Sequence, residues 1–70
     1  MIEVVQIEAA IADANQRLAK AMAEVRKERE QGLEADWTAV AEQLETVRDL
    51  ASDAAAKAWT VLGEAMMTDG

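Results

Sequence analysis

Four carboxylates follow one another at steps of three and four residues in the second half of the chain: Glu42, Glu45, Asp49 and Asp53. On a helix this spacing lines them along one face, here called the acidic stripe. Such a row is typical of a solvated helix face, and it also suits docking to a basic protein or imitation of nucleic acid phosphates. Helix-bundle metal sites made of carboxylates add a Glu-x-x-His motif, and the chain has no histidine. We therefore interpret the acidic stripe as a solvated face first and a partner-binding surface second, and we predict no metal site.

Trp59, Leu62 and Met66 form another candidate for partner binding, here called the Trp59 patch. Steps of three and four residues place them on one side of a helix, outside the main apolar seam of that segment. Large aromatic residues are enriched where protein interfaces are buried. We expect the Trp59 patch to contact a second copy of the chain or a different protein, and we prefer it to the acidic stripe as the docking surface.

The residue types that catalysis needs are scarce. The 70 residues include no cysteine and no histidine, which excludes a disulfide framework, a zinc site of the usual Cys/His kind and a Ser-His-Asp triad. Ser52 is the only serine, and no glycine-rich loop could hold a phosphate. We therefore predict that the protein is not an enzyme and uses no cofactor.

The charge balance disfavours nucleic acid and membranes as partners. Fourteen acidic and seven basic residues give a net charge of -7 at pH 7, which repels phosphates and anionic lipids. The basic cluster Arg26, Lys27 and Arg29 is interrupted by Glu28 and Glu30, and it suits the negative end of a helix dipole better than a phosphate. The chain has neither a basic leader nor an apolar run of the roughly 20 residues that cross a bilayer. We predict a cytoplasmic location.

A helical hairpin must position these residues. Sixteen alanines, three glycines and no proline favour an all-α fold. The main interruption is the segment from Gly32 to Asp36, where glycine suits the residue after a helix and aspartate suits an N-cap. We predict one domain over residues 1–70, with a helix over about 3–31, a turn over about 32–36 and an antiparallel helix over about 37–66.

The apolar residues of both helices repeat at steps of three and four, the spacing of a coiled-coil seam. In the first helix they are Val4, Ile7, Ile11, Ala14, Leu18, Ala21 and Val25. In the second they are Trp37, Val40, Leu44, Val47, Ala51, Ala54, Ala58, Val61 and Ala65. We expect these rows to face each other, with Trp37 covering the turn end of the core and a thin centre where Ala14 meets Ala51.

A single hairpin of this size buries too little apolar surface to fold alone. A second apolar row lies outside the seam and comprises Leu50, Ala55, Trp59, Leu62 and Met66, with Val5, Ala9, Ala12 and Met22 on the first helix. We therefore predict that two hairpins pair into a homodimeric four-helix bundle.

The turn segment Gly32-Leu33-Glu34-Ala35-Asp36 and the hairpin length resemble, in architecture, the plasmid Rop family of dimeric hairpins that bind paired RNA loops. The resemblance implies Rop-like RNA binding as one possible function, and it extends to no RNA-contact residue. From the residues themselves we predict a small acidic self-associating protein that acts by protein-protein binding, as an assembly module or as a small phage- or plasmid-type regulator or inhibitor. The other alternative is an acidic mimic that blocks a nucleic-acid-binding protein.

Overall fold

Two long helices and one short turn account for residues 2–68, which the computed structural model describes. Helix α1 spans Ile2–Gln31 and helix α2 spans Trp37–Thr68. They pack against each other as an antiparallel hairpin that measures 59 × 16 × 15 Å. The predicted all-α hairpin is therefore confirmed, and α2 continues to Thr68, beyond the expected end near residue 66.

The turn begins with a glycine cap on α1. Gly32 has a φ of 70°, the left-handed conformation that other residues rarely adopt. Its N–H donates to the carbonyl oxygen of Glu28 at 3.2 Å, and the N–H of Leu33 donates to that of Lys27 at 3.4 Å. These bonds satisfy carbonyl groups that the end of a helix leaves without a partner.

Helix α2 begins at an aspartate cap. The N–H of Ala39 donates to Oδ1 of Asp36 at 3.1 Å, and the N–H of Val40 donates to the Asp36 carbonyl at 3.0 Å. This is the N-cap geometry that the sequence indicated. The N–H of Asp36 itself donates to Oε2 of Glu24 at 2.9 Å, so a side chain of α1 binds the backbone at the start of α2.

Partly and fully buried residues recur every three or four positions where the helices meet, and we call them the interhelical row. Its members are Ile7, Ala10, Ala14, Arg17, Ala21 and Glu24 on α1, and Val40, Gln43, Val47, Leu50, Ala54, Lys57 and Val61 on α2. Within residues 2–67, full burial is limited to Ala21, Ala35 and Val40, each 5% exposed. The hairpin therefore lacks a substantial core of its own.

The interhelical row differs from the seam that the sequence predicted. Ile11, Leu18 and Leu44 were expected between the helices, and they are 53%, 42% and 46% exposed. Each helix is rotated so that small alanines and the half-buried Arg17 lie at the contact, because alanines allow close approach and the methylene stem of arginine packs well on apolar surface. Leu50, expected in the outer row, belongs to the interhelical row instead.

The expected role of Trp37 is also wrong. Its side chain is 51% exposed, and it lines an open groove of about 440 Å³ with Lys27 and Thr38 instead of covering the core. The buried residue at this end is Ala35, in the turn itself. Because the turn is short, the methyl group of Ala35 is large enough to fill the space between the helix ends.

Exchanging each glycine for alanine tests the turn. Gly32→Ala places a side chain at φ 70° and is expected to destabilise the protein by about 1–2 kcal/mol. Gly63→Ala is the matched control, since Gly63 lies inside α2 and, apart from its chain neighbours and the surrounding helix backbone, no atom would come within 4 Å of the added methyl group. It should stabilise by up to about 1 kcal/mol. Urea unfolding at one fixed protein concentration measures both, and equal effects of the two variants would contradict this account of the turn.

Candidate functional site

One side of the hairpin presents a continuous apolar surface, which we call the apolar face. Its members are Val4, Ile11, Asn15, Leu18, Met22 and Val25 on α1, and Trp37, Leu44, Ala51, Ala55, Ala58 and Leu62 on α2, and all except the half-buried Val25 are exposed. Steps of three, four and seven residues keep each set on one side of its helix. Contiguous exposed apolar surface of this kind marks an interaction site.

Two grooves between the helices open onto the apolar face. One has a volume of about 340 Å³ and is lined by Leu18, Ala21, Met22, Val25, Val40 and Leu44. The other has a volume of about 110 Å³, and its lining includes Ile11, Ala14, Asn15, Ala51 and Ala54. The second groove lies where small residues of both helices meet, and the expected contact of Ala14 with Ala51 is not formed, because Ala51 is exposed on the apolar face. Both grooves offer space for side chains of another molecule.

The opposite side of the hairpin, the polar face, is held by charged and amide side chains. Arg17 donates from Nε to Oδ1 of Asp13 and from Nη1 to Oε1 of Gln43, both at 3.1 Å, and the second bond joins the two helices. Asp53 and Lys57 lie along the same side, with Nζ to Oδ2 at 2.7 Å. This side already has polar partners, so the apolar face is the better candidate for binding.

The acidic stripe lies on the outer surface of α2, with all four side chains exposed. Two of its acids have bases beside them on the same helix: Asp49 accepts from Nε of Arg48 at 3.3 Å, and Asp53 accepts from Lys57. The stripe is therefore less negative than its spacing suggested. No group of three or more acidic side chains within the described part of the chain is arranged to hold a metal ion. Partner binding by Glu42, Glu45, Asp49 and Asp53 stays a prediction.

The Trp59 patch lies near the open end of the hairpin. Trp59 is 72% exposed, Met66 69% and Leu62 46%, so these three side chains remain available for contact. Leu62 also belongs to the apolar face, whereas Trp59 and Met66 extend that face toward the outer side of α2. The structure thus joins the Trp59 patch to the apolar face as one surface, and its role in partner binding stays a prediction.

The carboxylate of Glu24 is an interaction that the sequence-based reasoning missed. It accepts hydrogen bonds from the backbone N–H of Asp36 at 2.9 Å and from Nζ of Lys27 at 3.1 Å. These partners favour the charged form and lower the pKa of Glu24 below its ordinary value of 4.5, with the backbone hydrogen bond as the larger cause. A signal was present in the sequence, since Ala10, Arg17 and Glu24 recur every seven residues beside the apolar positions.

Comparison with known proteins identifies no relative. No protein-family model, no curated protein and no solved structure matches this chain. The Rop-like RNA-binding alternative gains no support from these comparisons. Over the residues that the structure describes, neither helix is long and apolar enough to cross a membrane.

The pH dependence of stability tests the link between Glu24 and the turn. Because the folded-state pKa is lowered, the carboxylate stabilises the hairpin above pH 4.5, and that contribution is lost as the pH falls through the folded-state value. Glu24→Gln should therefore be less stable than the wild type near neutral pH, and the difference should shrink in acid. Urea unfolding at a series of pH values measures it.

Glu28→Gln is the matched control, since Glu28 is exposed one turn further along α1 and its carboxylate forms no ion pair within the described residues. Its stability difference from the wild type should be small at every pH, because such surface changes alter stability by about 0.5 kcal/mol or less. The assignment fails if the Glu24 and Glu28 variants show the same pH dependence.

Proposed function

We propose that this protein is a self-associating helical hairpin of the cytoplasm that acts by binding other proteins, as an assembly module or as a small regulator, and carries out no catalytic step. The apolar face binds a second copy of the chain, which gives a dimeric four-helix bundle. The Trp59 patch, at the edge of that face, binds a different protein.

The observation that carries the proposal is the contrast between buried and exposed apolar residues. Burial within residues 2–67 is limited to two alanines and one valine, and no large side chain is fully buried. On the surface of these same residues, thirteen large hydrophobic side chains are exposed by 42% or more. A chain with so little core gains the missing hydrophobic stabilisation when a partner covers the apolar face.

The exposed surface area supports a second copy as that partner. The hairpin exposes 5349 Å², whereas a compact monomer of this mass exposes about 4,300 Å² by the usual scaling. The excess of roughly 1,000 Å² is close to the area of about 800 Å² that each partner buries in a standard protein interface. Pairing of two copies would therefore reduce the exposed surface area of each chain to about that of a compact protein of the same mass.

A homodimer is the expected state at micromolar concentration. Light scattering coupled to size exclusion should give twice the 7.6 kDa chain mass. Since folding and association are linked, the melting temperature should rise with protein concentration. A stable, highly helical particle of 7.6 kDa would contradict self-association.

Charge placed on the apolar face provides the matched test. Leu44→Glu should shift the protein to monomer or abolish its helicity, because it places a carboxylate inside the proposed interface. Ser52→Glu introduces the same group at an exposed position outside the apolar face and should leave the mass unchanged. Equal masses for both variants and the wild type would show that another surface mediates pairing.

Two variants separate the Trp59 patch from the acidic stripe as the surface for a different protein. Affinity capture with the wild-type chain identifies the partner, and Trp59→Ala with Met66→Ala should remove its binding because apolar anchors carry most interface energy. Neutralising all four acids of the stripe with Gln or Asn should slow association and leave the dimer intact. The opposite pattern would favour the acidic mimic.

A further inference from the structure

We propose that the second copy packs antiparallel on the apolar face, with α1 against α1, α2 against α2, and a two-fold axis that crosses both helices near Asn15 and Ala51. The two turns then lie at opposite ends of the bundle. This inference rests on the self-association proposed above and specifies its geometry.

The charge distribution along α1 supports the antiparallel arrangement. Residues 2–15 contain three acids and no base, whereas residues 16–31 contain five bases and three acids. Several of these charges pair within the helix, as Asp13 does with Arg17. The charges that form no ion pair within residues 2–67 keep the same polarity, with Glu3 and Glu8 in the first half and two bases, Lys20 and Arg26, against one acid, Glu28, in the second. Two such helices attract each other only when they run in opposite directions.

A parallel pairing about the long axis would lose this attraction. It places the acidic first half of α1 beside the second half of α2, where Asp53 and Glu64 outnumber Lys57, and it places the basic second half of α1 beside the acidic first half of α2. Like charges across an interface weaken it. The polarity of α1 therefore favours the antiparallel arrangement, in which α1 lies against α1, although the acidic α2 then lies against its own copy.

The sizes of the side chains on α2 lead to the same arrangement. Its turn half presents Trp37 and Leu44 on the apolar face, whereas the next part presents Ala51, Ala55 and Ala58. Antiparallel pairing sets the large residues of one copy over the small residues of the other, and Leu44 then lies level with Ala58. Parallel pairing lays α2 on α1 and would set Trp37 and Leu44 over the large residues Met22 and Val25 of the other copy, and such crowding is destabilising.

The grooves fit this geometry. About an axis near Asn15 and Ala51, the groove of about 340 Å³ between Met22 and Leu44 lies level with Leu62 and with the part of α1 between the exposed Val4 and Ile11 of the second copy. The small central groove, of about 110 Å³, lies at the axis itself. Asn15, an exposed amide within the apolar face, then meets its own copy, and a single buried asparagine of this kind fixes register and oligomeric state in helix bundles.

One consequence concerns partner binding. The antiparallel arrangement places the Trp59 patch of each copy near opposite ends of the bundle, beside the turn of the other copy. The dimer is then bivalent and can bridge two partner molecules, which is the property that an assembly module needs. A parallel dimer would place both patches at one end.

The distance between the two turns tests the arrangement. The chain has no cysteine, so Glu34→Cys at the exposed turn gives one spin label per copy, and every distance measured by pulsed electron resonance is between copies. Residue 34 lies nineteen positions from Asn15, which at about 1.5 Å per residue predicts a separation of about 55 Å. A parallel dimer would give about 20 Å, two helix diameters.

Each outcome is decisive. A distance near 55 Å supports the antiparallel dimer. A distance near 20 Å in a sample of dimer mass overturns it and leaves the proposed self-association standing. Monomer mass with no distance between labels overturns both.

A second measurement uses oxidation: Asn15→Cys should form a disulfide-linked dimer, whereas Gln16→Cys, one residue further along and exposed, should not. Equal cross-linking of these two variants overturns the position of the axis.

Discussion

Two helices packed together touch along a single line, so only one side of each can be buried. The other features of this hairpin depend on that constraint. Each helix can bury one side against the other, but the apolar residues of both helices cover a wider arc. Here the contact is made largely by alanines, with Ala21 and Val40 as its buried members. Alanines let the helix axes approach closely and bury little area per residue. The larger residues, Leu18 and Leu44 among them, consequently remain on one flank of the contact.

The polar groups of the interhelical row decide which flank is apolar. Arg17 reaches from the contact toward Asp13 and Gln43, and this draws the charged and amide side chains to one side of the hairpin. Partly exposed pairs of this kind contribute about 0–1 kcal/mol each to stability. Their main effect is therefore on how each helix is turned toward the other. Glu24 does the same at the turn, where its bond to the backbone of Asp36 fixes the start of α2 relative to α1. The two flanks of the hairpin thus have opposite chemical character.

The proposed function assigns neighbouring parts of one surface, on a small rod, to two different partners. In it the apolar face serves self-association, and the Trp59 patch at its edge remains partly exposed for another protein. The net charge of -7 opposes aggregation through such an apolar surface and repels phosphates. Pairing of bases with Asp49 and Asp53 lowers the charge of the acidic stripe. That pairing favours a solvated face over imitation of nucleic acid.

The sequence by itself determined the elements: alanine content, Gly32 and Asp36 gave the two helices and the turn, because caps and propensities act within a few residues of the chain. It did not determine the rotation of each helix about its axis. Ala10, Ala14 and Ala54 fit at a contact as well as on a surface, so the apolar spacing allowed more than one row to face inward. Apolar spacing alone assigns Arg17 and Glu24 to solvent. In the structure each forms a hydrogen bond across the hairpin, Arg17 with Gln43 and Glu24 with the backbone of Asp36. Only the packed tertiary structure could decide this, because the choice depends on residues 12 to 26 positions apart meeting in space.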